Sequence, residues 1–221
     1  MRKSVFMNPT FAAGFHASRA ARTFAGKTAA IAAVLALGGC ISFGSEPPES
    51  LITLTPTAVS AAATDLTDTT MQDQQAIAVL SPETPAMLDV TRVPVQVTDT
   101  KIAYLQDAVW VEKPARLFRR LLGETLRSRG EVLVLDNDDV TQMATQYLRG
   151  TLLDMTYDVP SSSVVVRFDA MRTDADGTVL TRRFEARESG IAAEAELVGP
   201  ALNRAANQVA ADVSDWVLAT P

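Results

Sequence analysis

Histidine and cysteine are almost absent from this chain. The 221 residues include one histidine, His16, and one cysteine, Cys40. No residue after position 40 can therefore supply an imidazole or a thiol. This excludes Ser-His-Asp and Cys-His nucleophilic machinery, His or Cys metal sites, thiol redox chemistry and structural disulfides from the body of the protein. The sequence predicts a protein that is not an enzyme and has no catalytic residue, metal or cofactor.

Chemistry that uses only carboxylates would remain possible. Two acidic clusters, Asp136-Asn-Asp-Asp139 and Asp174-Ala-Asp-Gly177, begin like a calcium loop. Neither continues to the further oxygen ligand and the glutamate at loop position 12 that an EF-hand requires. Both are therefore interpreted as polar turns between strands.

An apolar run long enough to span a bilayer is also missing. The run at residues 28–37 is shorter than the roughly 20 residues that a transmembrane helix needs. Basic residues precede it without any acidic one, and Gly38-Gly39-Cys40 follows. This order is typical of a secretion signal peptide, so residues 1–39 are predicted to be cleaved.

Leu37-Gly38-Gly39-Cys40 resembles the lipobox of bacterial lipoproteins. The resemblance implies that the Cys40 thiol receives a diacylglyceryl group and that its freed amine is acylated, for example with palmitate. Each buried methylene contributes about 0.8 kcal/mol, so two or more chains give a durable anchor. An aspartate after the cysteine tends to retain Gram-negative lipoproteins in the inner membrane. Because Ile41 stands there, we expect the periplasmic face of the outer membrane.

Acidic residues outnumber basic ones after cleavage. The signal carries five of the 20 Lys and Arg residues, which leaves 15 against 26 Asp and Glu and a net charge of −11. Such a body disfavours nucleic acid as a partner and offers no general basic surface to anionic lipids. Membrane contact is therefore expected through the acyl chains.

The remaining chain is predicted to be a tether and one domain. Residues 40–50 form a lipidated, flexible tether with a reach of roughly 15 to 20 Å. Residues 51–221 form the domain, and residues 57–75 are a probable long loop without a clear period. Strands are predicted at 51–56, 76–80, 93–98, 101–105, 131–135, 147–159, 162–173 and 178–189.

Two stretches have helical periodicity. Residues 113–129 place Leu117, Phe118 and Leu121 on one face, with Gly130 as the C-cap. Residues 192–218 repeat apolar residues at steps of three and four, and this helix must pack along the sheet. Together with the strands, this predicts an α/β single domain with a mixed β-sheet.

The order of these motifs is similar to the ABC-type transport auxiliary lipoproteins, a PqiC-like family. The match rests on Leu88-Asp89-Val-Thr-Arg92, then Tyr104, then Asp107-Ala108-Val-Trp110, and it extends to the final Asp215-Trp216-Val217. Leu105 departs from the second aromatic that is often found there. The resemblance implies a three-layer α/β sandwich, and a two-layer α+β fold is the alternative.

The resemblance also implies a non-catalytic role beside an ABC transporter. Its partner would be an MCE (mammalian cell entry) subunit, in a system that moves phospholipids or other hydrophobic molecules between the inner and outer membranes. A homo-oligomer, such as a ring around a tubular partner, is a further implication. The rival hypotheses are a lipid carrier, which needs an apolar cavity of about 300 to 1,000 Å³, and an assembly lipoprotein of another envelope complex.

Four residues that carry the match are candidate partner contacts. For Asp89 and Arg92 the alternative is an ion pair or a loop cap near the sheet. Tyr104 and Trp110 could line an apolar interface or stack in the core. Cys40 is the predicted site of lipid attachment.

Overall fold

A computed structural model describes residues 50–58, 75–130, 132–135 and 144–219. The predicted signal peptide, Cys40, most of the tether, residues 59–74 of the predicted loop and the acidic cluster at 136–139 lie outside the described residues. The elements in chain order are β1 (Ala76–Val79), β2 (Arg92–Thr98), β3 (Lys101–Val109), α1 (Pro114–Arg129), β4 (Leu133–Leu135), β5 (Gln146–Asp158), β6 (Ser163–Thr173), β7 (Val179–Ser189) and α2 (Ala195–Ala219).

Strand β5 organises the mixed, seven-stranded sheet. Along one edge it pairs antiparallel with β6, which pairs antiparallel with β7. Two parallel partners share its other edge: β1 lies beside the first residues of β5, and β2 lies beside the last. Beyond them, β4 pairs with β1 and β3 pairs with β2. The predicted mixed sheet is confirmed.

Both helices pack on the same face of this sheet. Phe168 on β6 and Phe184 on β7 are directly paired, so their side chains point to one side. Phe118 of α1 lies edge-on to Phe168 at 5.2 Å between ring centroids. Trp216 of α2 lies 5.7 Å from Phe184. The described residues therefore form two layers, which corresponds to the two-layer alternative and leaves the second face of the sheet uncovered by a helix.

Helix α1 follows its predicted periodicity closely. Leu117, Phe118 and Leu121 are buried, as an amphipathic helix on a sheet requires. Gly130 adopts the left-handed conformation at φ 71°, and its N–H donates to the Arg127 carbonyl, so the predicted C-cap is confirmed. Arg127 and Arg129 lie in the last turn, where positive charge stabilises the helix dipole.

The predicted strand at residues 51–56 is only a single bridge. Ile52 pairs in parallel with Trp110, and no other strand pairing occurs in the described part of this segment. The Asn203 amide oxygen on α2 accepts a hydrogen bond from the Thr55 N–H at 2.8 Å. The Asn207 amide oxygen accepts one from the Thr57 N–H at 2.7 Å. Because helix side chains satisfy this backbone, the segment does not need a neighbouring strand.

The β6–β7 hairpin contains the acidic cluster that begins at Asp174. The Asp174 N–H donates to the Thr178 carbonyl at 2.9 Å, and Gly177 takes a positive φ of 85°. The Asp176 carboxylate accepts the Thr178 N–H and hydroxyl, which lowers the pKa of Asp176. The predicted polar turn is confirmed.

Arg172 connects this hairpin to the end of α2. Its side chain is fully buried and makes a paired contact with Asp174, at 2.8 Å from Nε and 2.9 Å from Nη2. Its Nη1 donates to the Val217 carbonyl at 2.7 Å. The last carbonyls of a helix lack intrahelical partners, and α2 has no basic residue in its last turn. Arg172 therefore supplies the missing C-terminal cap from the sheet.

Arg172→Met should destabilise the domain strongly, because it leaves the Val217 carbonyl without its donor and Asp174 without its cation. Breaking a buried charge pair costs about 3 to 5 kcal/mol, and the lower figure applies because Asp174 can reach water. That corresponds to a fall of about 6 to 12 °C in Tm, measurable by circular dichroism. Arg204→Met removes an exposed ion pair with Glu188 and is the control, with a loss of about 1 kcal/mol at most. Equal effects of the two variants would contradict the capping role.

Candidate functional site

The face of the sheet opposite the two helices, the open face, carries two of the four candidate contact residues. In β2 the buried side chains of Val93 and Val95 point towards the helices. The alternation of a strand therefore turns Arg92 and Pro94 to the opposite, open face, where Arg92 is exposed and Pro94 is itself buried. Pro94 pairs with Tyr104 of β3, which brings the tyrosine to the same face.

Arg92 and Tyr104 form a stacked pair. The Arg92 guanidinium carbon lies 3.9 Å from the centre of the Tyr104 ring. Such a cation–π contact at an accessible site contributes about 0.5 to 1 kcal/mol. It holds two side chains of the types most enriched at binding hot spots in one fixed arrangement.

Asp89 lies apart from this pair. Its carboxylate accepts a hydrogen bond from the Lys113 ammonium at 2.7 Å, and both side chains are at least half exposed. Lys113 is the residue just before α1, so the pair fixes the loop before β2 to the start of the helix. Of the two alternatives to a partner contact, the structure gives Asp89 an ion pair, with Lys113 as its partner.

Trp110 is part of the core. Its side chain is 1% exposed, and its backbone N–H donates to the Thr91 carbonyl at 2.7 Å. Among the described residues, the indole Nε1 has no hydrogen-bond partner. The structure therefore favours the core interpretation over a partner contact, because no partner can reach this ring unless the core repacks.

A charged ladder across β5, β6 and β7 was not predicted from the sequence. On the open face Arg167 of β6 pairs with Asp154 of β5 and with Glu185 of β7. Two residues further along the same strands, Arg183 of β7 binds Asp169 of β6 through two hydrogen bonds of 2.6 and 2.7 Å. The available signal was the recurrence of charged residues at every second position, at Arg167 and Asp169 in β6 and at Arg183, Glu185 and Arg187 in β7, which is typical of a solvated face.

The pKa values of these carboxyls report their surroundings. The hydrogen bond from Arg183 holds the pKa of Asp169 below its usual range, and the hydrogen bond from Arg167 does the same for Glu185. Burial raises the pKa of Asp154, and the charge of Arg167 offsets only part of that rise. The ladder is therefore exposed to solvent at β7 and partly desolvated at β5.

Two open grooves border this ladder. One, of about 360 Å³, lies on the open face. Its lining is mostly polar: Gln96, Asp99, Asp154, Thr156, Asp158, Val165, Arg167 and Arg187. The other, of about 600 Å³, lies between β7 and the end of α2 and includes Arg182, Asp212 and Trp216. Neither is the enclosed apolar cavity that a lipid carrier requires.

The described residues contain no group of three or more His, Cys, Asp or Glu side chains placed to hold a metal. In that same part of the chain, neither helix has both the length and the apolar character needed to cross a membrane.

These features define a class of protein: a small α/β domain with two helices on one side of a mixed sheet. Among the described residues no helix lies on the other side, where β5 to β7 carry the charged ladder. Comparison with known proteins then identifies the family. The family described as the ABC-type transport auxiliary lipoprotein component matches residues 53–214. The chain belongs to this family, and as a lipoprotein component of a transporter it belongs to the cell envelope.

Solved structures share the fold. A protein from Xanthomonas campestris is 16% identical, with a TM-score of 0.59, over 78% of this chain and 94% of its own. An uncharacterised protein is 13% identical, with a TM-score of 0.58, over 76% of this chain and 99% of its own. No curated protein matches the sequence.

Proposed function

We propose that this protein is a non-catalytic docking component of an MCE-type ABC transporter, anchored through Cys40 to the periplasmic face of the outer membrane. The transporter moves phospholipids or other hydrophobic molecules between the two membranes. The observation that carries the proposal is the family match over residues 53–214. The protein would hold the MCE subunit in place and would take no chemical part in transport.

The residue inventory supports a docking role. His16 and Cys40 precede the folded domain, which therefore has no imidazole or thiol. The grooves described above are open and lined largely by charged side chains. The predicted tether of about ten residues would let the domain stand about 15 to 20 Å from the lipid surface, where a subunit that spans the periplasm could meet it.

We assign the partner contact to the open face around Arg92 and Tyr104. Their stacking fixes both side chains before binding, so little conformational entropy is lost when a partner covers them. Asp89 lies at the exposed border of this region and would contribute less, because exposed charges at a rim affect affinity weakly.

Co-purification tests the partnership. The lipidated protein is isolated from detergent-solubilised membranes after mild crosslinking, and the proteins that accompany it are identified by mass spectrometry. An MCE subunit is expected, together with the permease and ATPase of its transporter. Recovery of a different envelope complex would support the assembly-lipoprotein hypothesis. Recovery of bound lipid without any protein would support the lipid carrier.

The double variant Arg92→Glu, Tyr104→Ala should lower recovery of the MCE subunit about tenfold or more, because hot-spot side chains of these types contribute about 2 kcal/mol each. The matched control is Arg149→Glu, Tyr147→Ala, which makes the same two changes on β5. Recovery that falls equally for both variants, or for neither, would refute the assignment of the contact to Arg92 and Tyr104.

A further inference from the structure

Strand β7 is an exposed edge of the sheet. It pairs with β6 on one side, and no described strand pairs with its other side. It has 11 residues, of which only Phe184 is buried. At about 3.4 Å per residue, this edge presents nearly 40 Å of strand with unpaired backbone groups. Proteins normally protect edges of this kind, because they readily pair with another strand.

The side chains of β7 divide between the two faces of the sheet. Arg183 and Glu185 lie on the open face, where they pair with Asp169 and Arg167. Phe184 points to the helix face and contacts Trp216. A strand that adds to this edge must match both faces, so its register is restricted to shifts of two residues.

A second copy of β7 can pair with the whole length of this edge in an antiparallel register centred on Phe184. If Phe184 lies on a two-fold axis, residues whose numbers are equally far from 184 face each other. Arg183 of each copy then lies opposite Glu185 of the other. The full strand is paired, with Thr181 opposite Arg187 and Val179 opposite Ser189. No like charges face each other directly.

The neighbouring registers are unfavourable. A slide of two residues in one direction places Arg183 opposite Arg183 of the other copy. A slide in the other direction places Glu185 opposite Glu185 and also Arg183 opposite Arg187. Directly opposed like charges destabilise a strand pair, so charge disfavours both registers next to the one centred on Phe184. The register centred on Ala186 also opposes Glu185 to Arg187, but it leaves Val179 to Thr181 unpaired and Arg183 without a charged partner on the other copy.

In that register the charged ladder continues across the two copies. Within one copy, Asp169 pairs with Arg183 and Arg167 pairs with Glu185. Joining the edges gives rows in the order Asp169, Arg183, then Glu185 and Arg167 of the other copy. Every neighbour in a row has the opposite sign. On the helix face, the two Phe184 rings would meet beside the groove that Trp216 lines.

We propose that β7 is a self-association surface, through which two copies of this chain pair antiparallel about a two-fold axis at Phe184. The occupant of the edge is a second copy because the charges of β7 are complementary to themselves. The contact uses the same patch on both copies and therefore closes at a dimer. This inference is independent of the proposed transporter partner, since it concerns the purified protein alone.

Charge reversal tests the register. Arg183→Glu and Glu185→Arg, each made separately in the full mature lipoprotein in detergent, both create two like-charge contacts per dimer. Each variant should dimerise at least about 30-fold more weakly than the unaltered protein by analytical ultracentrifugation. An equimolar mixture of the two variants should dimerise again. In the mixed dimer the two altered side chains face each other with opposite charges, and the unaltered Glu185 of one copy faces the unaltered Arg183 of the other.

The recovery in the mixture distinguishes a lost contact from a misfolded protein. Arg149→Glu, with the same charge change at an exposed position of β5, is the control and should leave the dimer intact. Cysteines at positions 181 and 187 provide a second readout, since Thr181→Cys combined with Arg187→Cys should give an oxidised covalent dimer. An unaltered protein that stays monomeric at tens of micromolar, single variants that still dimerise, or a mixture that fails to recover would each overturn the proposal.

Discussion

Cys40→Ser is expected to move the protein from the membrane pellet to the soluble periplasmic fraction. The change removes the only thiol in the chain, and with it the attachment point for every predicted acyl chain. With about 0.8 kcal/mol lost for each methylene no longer buried, the membrane affinity should fall by many orders of magnitude. Cys40 precedes residues 53–214, which the family model matches, so the circular dichroism spectrum and Tm of the domain should not change.

Fractionation after a high-salt wash measures this effect, and metabolic labelling with a palmitate analogue gives a second readout. The control is Ser42→Ala, a change of similar size in the tether that should leave both labelling and fractionation as they are. If the Cys40→Ser protein still sediments with washed membranes and is still labelled, the lipid anchor is not at Cys40.

Gly150→Ala should destabilise the domain strongly. An added Cβ would lie 2.0 Å from the carbonyl oxygen of Asp169 and 2.8 Å from the Phe168 ring. The first atom belongs to the backbone of β6, so it cannot move without disrupting the register of the central strand pair. A loss of at least about 4 kcal/mol is expected, which is a fall of about 10 °C or more in Tm.

Gly130→Ala is the matched control for that change. Gly130 has a positive φ of 71°, but no atom lies within 4 Å of where its Cβ would be. The substitution should cost about 1 to 2 kcal/mol, which is the strain of a left-handed alanine alone. If Gly150→Ala were no worse than Gly130→Ala, close approach of the backbone would not be the reason for glycine at position 150.

The elements with a strong local signal could be predicted from the sequence. Helix α1 was found from its apolar face and its capping Gly130, and the β6–β7 hairpin from the turn at Asp174. The segment at residues 51–56 has the composition of a strand, but two asparagines about 150 residues away hold its backbone. No local pattern contains that information.

The candidate site was predictable only in part. The family motif pointed to Arg92 and Tyr104, but their stacking depends on the pairing of β2 with β3. Trp110, in the same motif, belongs to the core, because Ile52 bridges to it from the start of the domain. The ladder on β5 to β7 was missed because each charge in it looks like an ordinary exposed residue until the strand register is known.

The shared edge of β5 has a consequence for the order of folding. The antiparallel unit of β5, β6 and β7 is built from neighbouring strands, so it can form from local contacts. The remaining edge of β5 needs partners from far away in the chain, such as Ile77, which pairs with Gln146 across 69 residues. Contacts of such long sequence separation form late because loop closure is slow. Strands β1 and β2, which precede β5 in the chain, must therefore wait until β5 has formed before this side of the sheet can be completed.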